Sequence, residues 1–593
     1  MSLRVCMVTP FAWSQPHSVN DHVEDAAAEL ERRGHEVVVL APSGRTTDLA
    51  AGRRALRRLV HDATPLEGVV ALGPALPVSR RSRLGVPIGV RANLGLALTR
   101  DHFDLVHAHD PGLPSLSYLA LRDGPGLGVA TFHSVERLAY PPGKKQRERL
   151  LGRVDALTAS SEAVARAAAK RFPGDYRVLP RGIDLERFRP GEERARFVLE
   201  WRSDELPRLR AAFRALAALD GWELVILRTT PLAGRPYVPR ALRDRVSVRT
   251  ARDARGRALE LEGAAGLVPA ARGNDRLPFE AAAAGVPLVQ PPGVHEQPQL
   301  VEAALARLAE DERWRTTSSK KALTGVEPES LERLGDQLES VYRSVLGKRR
   351  ASRRQTADPL ADRPLVLADL HMHTERSHDC SVPVPDLLDH AEAIGLGAIA
   401  VTDHNVFAGA EEAVELARRR DLTVIPGEEV KTSAGEVIGL FLREEVPRGM
   451  SMGDTIAAIR EQGGVVYLPH PFDRLHTIPD APTLHRHLAE IDVFEVYNAR
   501  LLFEGYNDEA LRFARKYNLT MGAGSDAHVL QGVGTGLVRM RAFETPEEFL
   551  ISLRSAEIVR RPKSLLYLQG LKWMAGIRAS RRESHERMTS ANR

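Results

Sequence analysis

The chain has 593 residues, of which 43% are hydrophobic and 27% charged, which suits an ordinary globular protein of about three or four domains. Its formal net charge of +5 is too small to indicate a nucleic-acid-binding protein by itself. The two cysteines are too few for a disulfide framework or a cysteine-based zinc cluster. The sequence also has neither the apolar core of a signal peptide nor an apolar run of about 18 residues. Together these features predict a cytoplasmic protein.

The first third alternates between strand and helix patterns. Leu3–Val8 is a buried strand, Asp21–Arg33 has the spacing of an amphipathic helix, and Gly34 ends that helix before the strand Glu36–Leu40. Further strands are predicted at Asp104–Ala108, Gly128–Phe132 and Ala156–Ala159. This alternation predicts a doubly wound parallel sheet in an α/β domain over residues 1–190.

A second α/β domain is predicted over residues 191–346, with strands at Glu223–Leu227 and Ala265–Val268 and helical pattern at its end. Residues 347–363 are polar and basic and predict a linker, and residues 364–563 form a third domain. Residues 564–593 begin with an amphipathic helix, Leu565–Arg578, and continue as a basic, disordered tail. The helix either docks on the third domain or lies on the anionic inner face of a membrane.

Polar clusters follow six apolar runs in residues 364–563. The clusters contain these residues: His371, His373 and Asp379; Asp403 and His404; Glu428 and Glu429; His470; Asn498; Asp526 and His528. Strands that carry nitrogen and oxygen ligands at their carboxyl ends build metal sites on the rim of a barrel. His371 and His373 lie on the same face of one strand end, and Glu429 is the best candidate to bridge two ions. The pattern predicts a polynuclear metallohydrolase.

The segments DLHMHT, TDHN, PGEE, PHPFD and GSDAH, in this order, resemble the motifs of the PHP (polymerase and histidinol phosphatase) superfamily. The resemblance implies a distorted (β/α)7 barrel, two or three divalent ions (Mn, Zn or Fe) and hydrolysis of a phosphomonoester, a nucleotide or an oligonucleotide end. It assigns one ion to His371, His373, Glu429 and Asp526, a second to Glu429 and His470, and a third to Asp379, His404 and His528. Glu436 stands where many members have a histidine, so either Glu436 binds the second ion or that ion is held weakly.

Three further residues are candidates for contact with the substrate. Arg474 follows the HPF segment, and Asn498 and Arg500 lie in the YNAR segment, so all three are expected near the rim. An arginine there suits bidentate binding of a phosphate, although exposed surface positions are an equally good interpretation of both arginines.

The amino-terminal half resembles retaining GT-B glycosyltransferases of family 4, and the phosphatidylinositol mannosyltransferases in particular. The resemblance rests on residues 7–42 and on the segments LVHAHDPGLPSLSYLAL, VATFHS, LTASSEAVARAA and LPRGIDLERF. It implies two Rossmann-like domains with a nucleotide-sugar between them and a membrane lipid as acceptor. Its cleft residues would be His133 on the acceptor side, Arg202 and Arg208 on the diphosphate, and Glu280 at the donor.

The cleft also departs from the family pattern. His17 and Ser18 replace a glycine pair, and Arg272 falls on the position of the first of two glutamates, which reverses a charge where the donor sugar would bind. Three interpretations stay open: an active transferase, a degenerate transferase fold kept for binding or scaffolding, and a changed donor specificity. For the whole chain, the first alternative is a bifunctional enzyme whose amino-terminal half is an active retaining nucleotide-sugar glycosyltransferase. The other two are a binding or scaffold protein of envelope glycolipid metabolism and a nucleic-acid processing enzyme acting on short substrates.

Overall fold

The computed structural model describes residues 2–75, 89–230, 234–271, 274–289, 299–349, 359–475 and 477–562. Two compact units divide the chain, Met1–Leu346 and Gly347–Arg593, which we call the amino-terminal unit and the carboxyl-terminal unit. The predicted helix Leu565–Arg578, the polar tail and most of the predicted linker lie outside the described residues. Within the described residues, no helix combines the length and apolar character needed to cross a membrane.

The amino-terminal unit begins with a lobe built on a parallel sheet. Its strands are β1 (Arg4–Val8), β2 (Glu36–Ser43), β3 (Gly68–Pro74), β4 (Leu105–His109), β5 (Leu127–Phe132), β6 (Ala156–Ala159) and β7 (Tyr176–Val178). Its helices are α1 (Ser18–Arg32), α2 (Thr46–His61), α3 (Val90–Arg100), α4 (Leu116–Asp123), α5 (Lys144–Leu151) and α6 (Glu162–Ala169). The strand order β3-β2-β1-β4-β5-β6-β7, with every pair parallel, confirms the predicted doubly wound sheet.

The local sequence explains how α1 starts and stops. The His17 side chain accepts a hydrogen bond from the Val19 N–H at 3.2 Å, which satisfies one of the free amides of the first turn. Gly34 has φ +87°, a conformation that glycine adopts without strain, and the chain turns there into β2. Most of α1 is buried, and its residues Asp21, His22 and Asp25 lie inside the unit.

A second lobe completes the amino-terminal unit. Its strands are β8 (Arg194–Glu200), β9 (Glu223–Arg228), β10 (Val246–Thr250) and β11 (Ala264–Val268), in the parallel order β10-β9-β8-β11. Its helices are α7 (Leu206–Ala218), α8 (Ala254–Leu261), α9 (Leu277–Ala283), α10 (Gln299–Glu310), α11 (Glu312–Val326) and α12 (Leu331–Leu346). Helix α12 returns to the first lobe, where the Tyr342 hydroxyl and His107 Nδ1 are 2.8 Å apart. The two parallel lobes are the predicted GT-B architecture.

The carboxyl-terminal unit is built on one curved sheet. Its strands are β12 (Leu365–Met372), β13 (Ala398–Val401), β14 (Thr423–Thr432), β15 (Gly435–Leu440), β16 (Val465–Leu468), β17 (Val493–Asn498), β18 (Thr520–Gly524), β19 (Gly536–Arg541) and β20 (Glu557–Arg560). Its helices are α13 (Val384–Ala393), α14 (Ala408–Ala417), α15 (Met452–Glu461), α16 (Ala481–His487), α17 (Glu504–Tyr517) and α18 (Pro546–Leu553).

Strands β12 to β18 curve into a nearly closed barrel. Neighbouring strands pair in sequence order, and β15 runs antiparallel to both β14 and β16. The segment after β18 then meets the end of β12, where the Asp526 N–H donates to the His371 carbonyl at 2.8 Å and the His373 N–H donates to the Ala527 carbonyl at 3.1 Å. A hairpin of β19 and β20 pairs with β12 from the other side. This distorted seven-stranded barrel confirms the predicted fold class.

Candidate metal centre

The carboxyl ends of the barrel strands bring the predicted ligand side chains together. His371 lies in β12 and His373 just after it, His404 follows β13, His470 follows β16, and Asp526 and His528 follow β18. Parallel strands share one barrel edge at their carboxyl ends, so these side chains meet on one rim. Glu429 reaches the same rim from within the longer strand β14.

Glu429 lies at the centre of the cluster. Its Oε2 is 3.2 Å from His371 Nε2, 3.1 Å from His404 Nδ1 and 3.5 Å from His373 Nε2. Its Oε1 is 3.0 Å from His470 Nε2. Each carboxylate oxygen therefore faces a different set of imidazole nitrogens, which is the arrangement needed to bridge two ions.

Strand alternation separates Glu429 from its neighbour Glu428. Glu428 points away from the histidines, and its Oε2 accepts a hydrogen bond from the Val446 N–H at 2.8 Å. Burial raises the pKa of Glu428 to about 7. The Glu429 backbone is held in turn by the end of β13, since its N–H donates to the Asp403 carbonyl at 3.1 Å.

Asp526 and His528 form a second part of the cluster. Asp526 Oδ1 is 3.4 Å from His373 Nε2 and 4.0 Å from His371 Nε2. His528 Nε2 is 2.8 Å from Asp379 Oδ2, and His404 Nε2 is 3.8 Å from Asp379 Oδ1. These contacts bring together the residues that the family resemblance assigns to the first ion and, separately, those that it assigns to the third.

Glu436 faces the side of the cluster where a histidine was expected. Its Oε2 is 3.8 Å from His470 Nε2, and ligand atoms of Glu436, Glu429 and His404 all lie within 4.8 Å of one another. Glu436 is on the antiparallel strand β15, opposite Lys431 of β14. A carboxylate oxygen is thus near the second ion position in place of an imidazole nitrogen.

Glu495 was missed by sequence reasoning. It is fully buried in β17, where its Oε1 is 3.2 Å from His371 Nδ1 and accepts from the Tyr467 hydroxyl at 2.9 Å. Its Oε2 accepts from the His470 N–H at 2.7 Å. Glu495 therefore orients two candidate ligands from behind. The available signal was a lone carboxylate inside the otherwise apolar run VFEVYN.

Electrostatics keep the central carboxylates ionised. Burial raises the pKa of Glu429, but the neighbouring His371, His470 and His404 outweigh burial and hold it well below its ordinary value. Burial likewise raises the pKa of Asp526, and Arg500 and His371 hold it well below the ordinary value. The pKa of His373 is lowered by burial and by His528. Burial lowers the pKa of His371 and of His470, but Glu429 outweighs burial and raises the pKa of His371 well above its ordinary value and that of His470 to about 9. The carboxylates and His373 are therefore in the forms that bind metal ions, and an ion would displace a proton from His371 and from His470.

The three predicted substrate-contact residues lie in different surroundings. Arg500 Nη1 is 3.1 Å from both Asp526 Oδ1 and His528 Nε2, at the rim of the cluster. Asn498 is buried, and its Nδ2 donates to Glu495 Oε2 at 3.1 Å and to Asp526 Oδ2 at 3.3 Å, so it supports the cluster from below. Within the described residues, Arg474 forms an ion pair with Glu509 at 3.7 Å and with no member of the cluster.

In the amino-terminal unit, the predicted cleft residues bond to the protein itself. Arg208 is buried, donates to the Pro269 carbonyl at 2.5 Å and lies 3.1 Å from Glu205. Arg202 pairs with Asp204 at 3.5 Å. His133 Nε2 is 2.9 Å from His109 Nδ1. Arg272 lies outside the described residues.

Glu280 is part of a buried charge network that joins the two lobes. Arg257 of α8 binds both Glu280 carboxylate oxygens, at 2.6 and 2.7 Å, and reaches Asp21 of α1 at 3.0 Å. Arg276 pairs with Asp25 of α1 and donates to the Arg181 carbonyl at 2.7 Å. All five charged side chains of these pairs are buried. The carboxylate that resembles a donor contact is therefore bonded within the protein.

Comparisons with known proteins divide the chain in the same way. The family model described as PHP domain matches residues 369–492, the model described as PHP-associated matches 504–558, and the model described as Glycosyltransferase Family 4 matches 19–187. Uncharacterized protein MJ0417 of Methanocaldococcus jannaschii is 33% identical over 211 residues, which are 33% of this chain and 84% of that protein.

Two further similarities concern glycosyltransferases. The phosphatidyl-myo-inositol mannosyltransferase of Mycolicibacterium smegmatis is 29% identical over 195 residues, 31% of this chain and 45% of that protein, so less than half of its length is matched. A glycosyltransferase structure from Rickettsia africae is 14% identical, covers 58% of this chain and 99% of its own, and has a TM-score of 0.40.

Proposed function

The chain belongs to the PHP family through its carboxyl-terminal unit and carries a family 4 glycosyltransferase-like amino-terminal unit, and from this premise we propose that it is a metal-dependent phosphoesterase. Its substrate is a phosphomonoester, a nucleotide or an oligonucleotide end. The amino-terminal unit has lost nucleotide-sugar binding and serves as a binding or scaffold domain.

One observation carries the proposal: imidazole and carboxylate groups converge on Glu429 from the ends of several strands. His371, His373 and Asp526 face one side of Glu429, and His470 faces the other. These donors fit two or three divalent ions such as Mn²⁺, Zn²⁺ or Fe²⁺. When bound, such ions lower the pKa of a water molecule and offset the charge of a phosphate group.

The exposed edge of the cluster supports a terminal phosphate as the reacting group. The side chains of Asp379 and Arg500 are 25% and 26% exposed, whereas those of His371 and His373 are fully buried. A substrate phosphate would enter at the exposed edge. Arg500 can bind two of its oxygens with a planar pair of N–H donors, which offsets the charge that builds up on phosphorus-bound oxygen.

The inactive role of the amino-terminal unit is supported by the charge network around Glu280. A nucleotide-sugar that used Glu280 as its donor contact would have to compete with Arg257 for this carboxylate, and breaking the pair would leave a buried charge without that partner. Removing one member of a buried ion pair costs about 3–5 kcal/mol. Arg208 is likewise bonded within the protein, to Glu205 and to the Pro269 carbonyl.

The phosphoesterase proposal is tested with the full chain. Metal-depleted protein is reconstituted with Mn²⁺, Zn²⁺ or Fe²⁺ and assayed on a phosphomonoester, a bisphosphate and a short oligonucleotide. We expect hydrolysis of at least one substrate, and its loss in the Asp526→Asn and His470→Ala variants. If no loaded form hydrolyses any of the substrates, the proposal is wrong.

The proposed loss of nucleotide-sugar binding is tested by calorimetric titration of the full chain with a panel of nucleotide-sugars. We expect no binding of any donor. Saturable binding of one donor, abolished by Glu280→Gln, would contradict the loss of donor binding and restore the bifunctional alternative.

A further inference from the structure

A second histidine cluster lies in the amino-terminal unit, apart from the barrel. His22 comes from α1, His109 ends β4, and His133 follows β5. One nitrogen from each of these three residues lies within 4.8 Å of the other two. The rings are closely packed, with centroids 4.9 Å apart for His22 and His133 and 5.2 Å apart for His109 and His133. Three neighbouring strand and helix ends thus direct imidazoles to one point.

The hydrogen bonds of His22 leave one ring nitrogen with a bare lone pair. Its Nδ1 is 3.1 Å from the Arg181 carbonyl oxygen, and a carbonyl only accepts, so Nδ1 carries the proton of the neutral ring. Its Nε2 is buried and has no hydrogen-bond partner in the part of the chain that the structure describes. A metal-binding histidine shows the same pattern, with one N–H on a backbone carbonyl and the other nitrogen directed to the ion.

His109 has an unsatisfied nitrogen in either possible protonation state. Its Nδ1 and His133 Nε2 are 2.9 Å apart, so one of the two donates to the other. If His109 Nδ1 donates, His109 Nε2 is a bare lone pair; if His133 donates, His109 Nε2 carries a proton with no acceptor. The structure records His109 Nε2 as buried and, among the described residues, without a partner. Two unsatisfied buried ring nitrogens in one cluster are costly, at about 1–3 kcal/mol each.

The surroundings keep all three imidazoles neutral. Burial lowers the pKa of His22 to about 4, with a further contribution from Arg276. Burial also lowers the pKa of His109 and of His133 well below the ordinary value, as do the neighbouring histidines. Only neutral imidazole has a lone pair for a metal ion, so no proton has to be displaced at neutral pH.

We propose that His22, His109 and His133 bind one divalent transition-metal ion, with Zn²⁺ as the best match. Three nitrogen donors favour zinc and its neighbours over Mg²⁺ or Ca²⁺, which prefer oxygen. Binding would occupy the bare Nε2 of His22 and would take one ring nitrogen each from His109 and His133. The fourth position of a tetrahedral ion stays open for water or an anion.

The site does not depend on the proposed phosphoesterase activity. Its ligands belong to the lobe that the glycosyltransferase model matches, and they include His133, which the family resemblance places on the acceptor side. The competing explanation for the unsatisfied nitrogens is a buried water molecule that donates a hydrogen bond to each lone pair.

The zinc content of the full chain tests the proposal. Wild type, His22→Gln, His109→Gln and the matched control His61→Gln, an exposed histidine at the end of α2, are equilibrated with Zn²⁺ and gel-filtered. We expect His22→Gln and His109→Gln each to bind one zinc ion per chain fewer than wild type, and His61→Gln to bind as many as wild type. Equal zinc content in wild type and both variants would overturn the proposal.

Crystallography of the wild type gives a readout that does not depend on how the variants fold. Diffraction data collected at the zinc absorption edge should show an anomalous peak about 2.0–2.1 Å from one nitrogen of each of the three histidines. A water molecule without anomalous signal at that point, in crystals whose barrel site holds zinc, would also overturn the proposal.

Discussion

At the scale of single residues, the cluster depends on groups that do not themselves face an ion. Glu495 contacts the His371 ring and the His470 backbone, and it also accepts from Asn498 and Tyr467. A sequence motif names the residues that carry the ligand atoms. The carboxylate that orients them lies three residues before Asn498 in a strand that reads as apolar, so only the assembled barrel identifies its role.

Replacing Glu495 by glutamine should weaken metal binding. The single oxygen of glutamine can face only one side, so either the His470 N–H or the His371 ring and the Tyr467 hydroxyl lose their acceptor. We expect metal affinity to fall about 10–100-fold, as is usual for the loss of a residue that orients ligands. Calorimetric titration of the metal-free chain measures it. The control Glu504→Gln changes an exposed carboxylate that pairs with Arg560, and equal affinities in the two variants would contradict the prediction.

Substitutions of Arg500 and Arg474 should have clearly different effects on kcat/KM. Arg500 touches Asp526 and His528, whereas Arg474 pairs with Glu509. We expect Arg500→Lys to lower kcat/KM about 100-fold, because an ammonium group cannot bind two phosphate oxygens in a plane. Arg474→Lys should change kcat/KM less than about threefold, the size of a surface effect. Steady-state kinetics on the hydrolysed substrate measure both values of kcat/KM. A larger loss of kcat/KM in Arg474→Lys than in Arg500→Lys would mean that Arg474, and not Arg500, binds the phosphate.

At the scale of elements, patterns that depend only on neighbouring residues were reliable. The apolar runs correctly predicted β1, β5 and β6 within a residue or so, and the helical spacing before Gly34 predicted α1 with a start about three residues too late. The antiparallel course of β15 was not predicted, because strand direction depends on which strands pair and not on local composition. This hairpin decides where Glu436 faces the cluster.

The ion pairs between α1 and the helices α8 and α9 are also set by tertiary structure, and they should stabilise the amino-terminal unit. Glu280→Ala leaves Arg257 buried with Asp21 as its remaining ion-pair partner among the described residues. We expect a loss of about 3–5 kcal/mol in the free energy of unfolding. Urea denaturation of the full chain measures it. Glu302→Ala removes the exposed partner of Arg214 and should cost less than about 1 kcal/mol, so equal losses would contradict the prediction.

At the scale of the whole molecule, the chain comprises two units with separate hydrophobic cores. The candidate metal centre of mixed histidine and carboxylate ligands lies entirely in the carboxyl-terminal unit, and the all-histidine cluster lies entirely in the amino-terminal unit. Because the donor sets differ, the two units should respond differently to different metals.

Manganese should stabilise only one unit. At about 100 times its Kd, an ion that binds the folded state alone adds about 2.7 kcal/mol of stability. We expect Mn²⁺ to raise the unfolding temperature of the carboxyl-terminal transition by several degrees, and the amino-terminal transition to stay constant. Calorimetry of the metal-free full chain tests this, with His470→Ala as the control that should lose the shift. A shift of both transitions, or of neither, would contradict it.

The amino-acid sequence was enough to predict the fold class of both halves and the set of residues that could bind metal in the barrel. These features depend on local periodicity and on motifs in which residue type and spacing are both constrained. The tertiary structure alone decided which groups meet: Glu495 behind His371 and His470, Arg257 on Glu280, and three histidines of the first lobe around one point. Those contacts join residues that are far apart in the chain, so no local pattern could specify them.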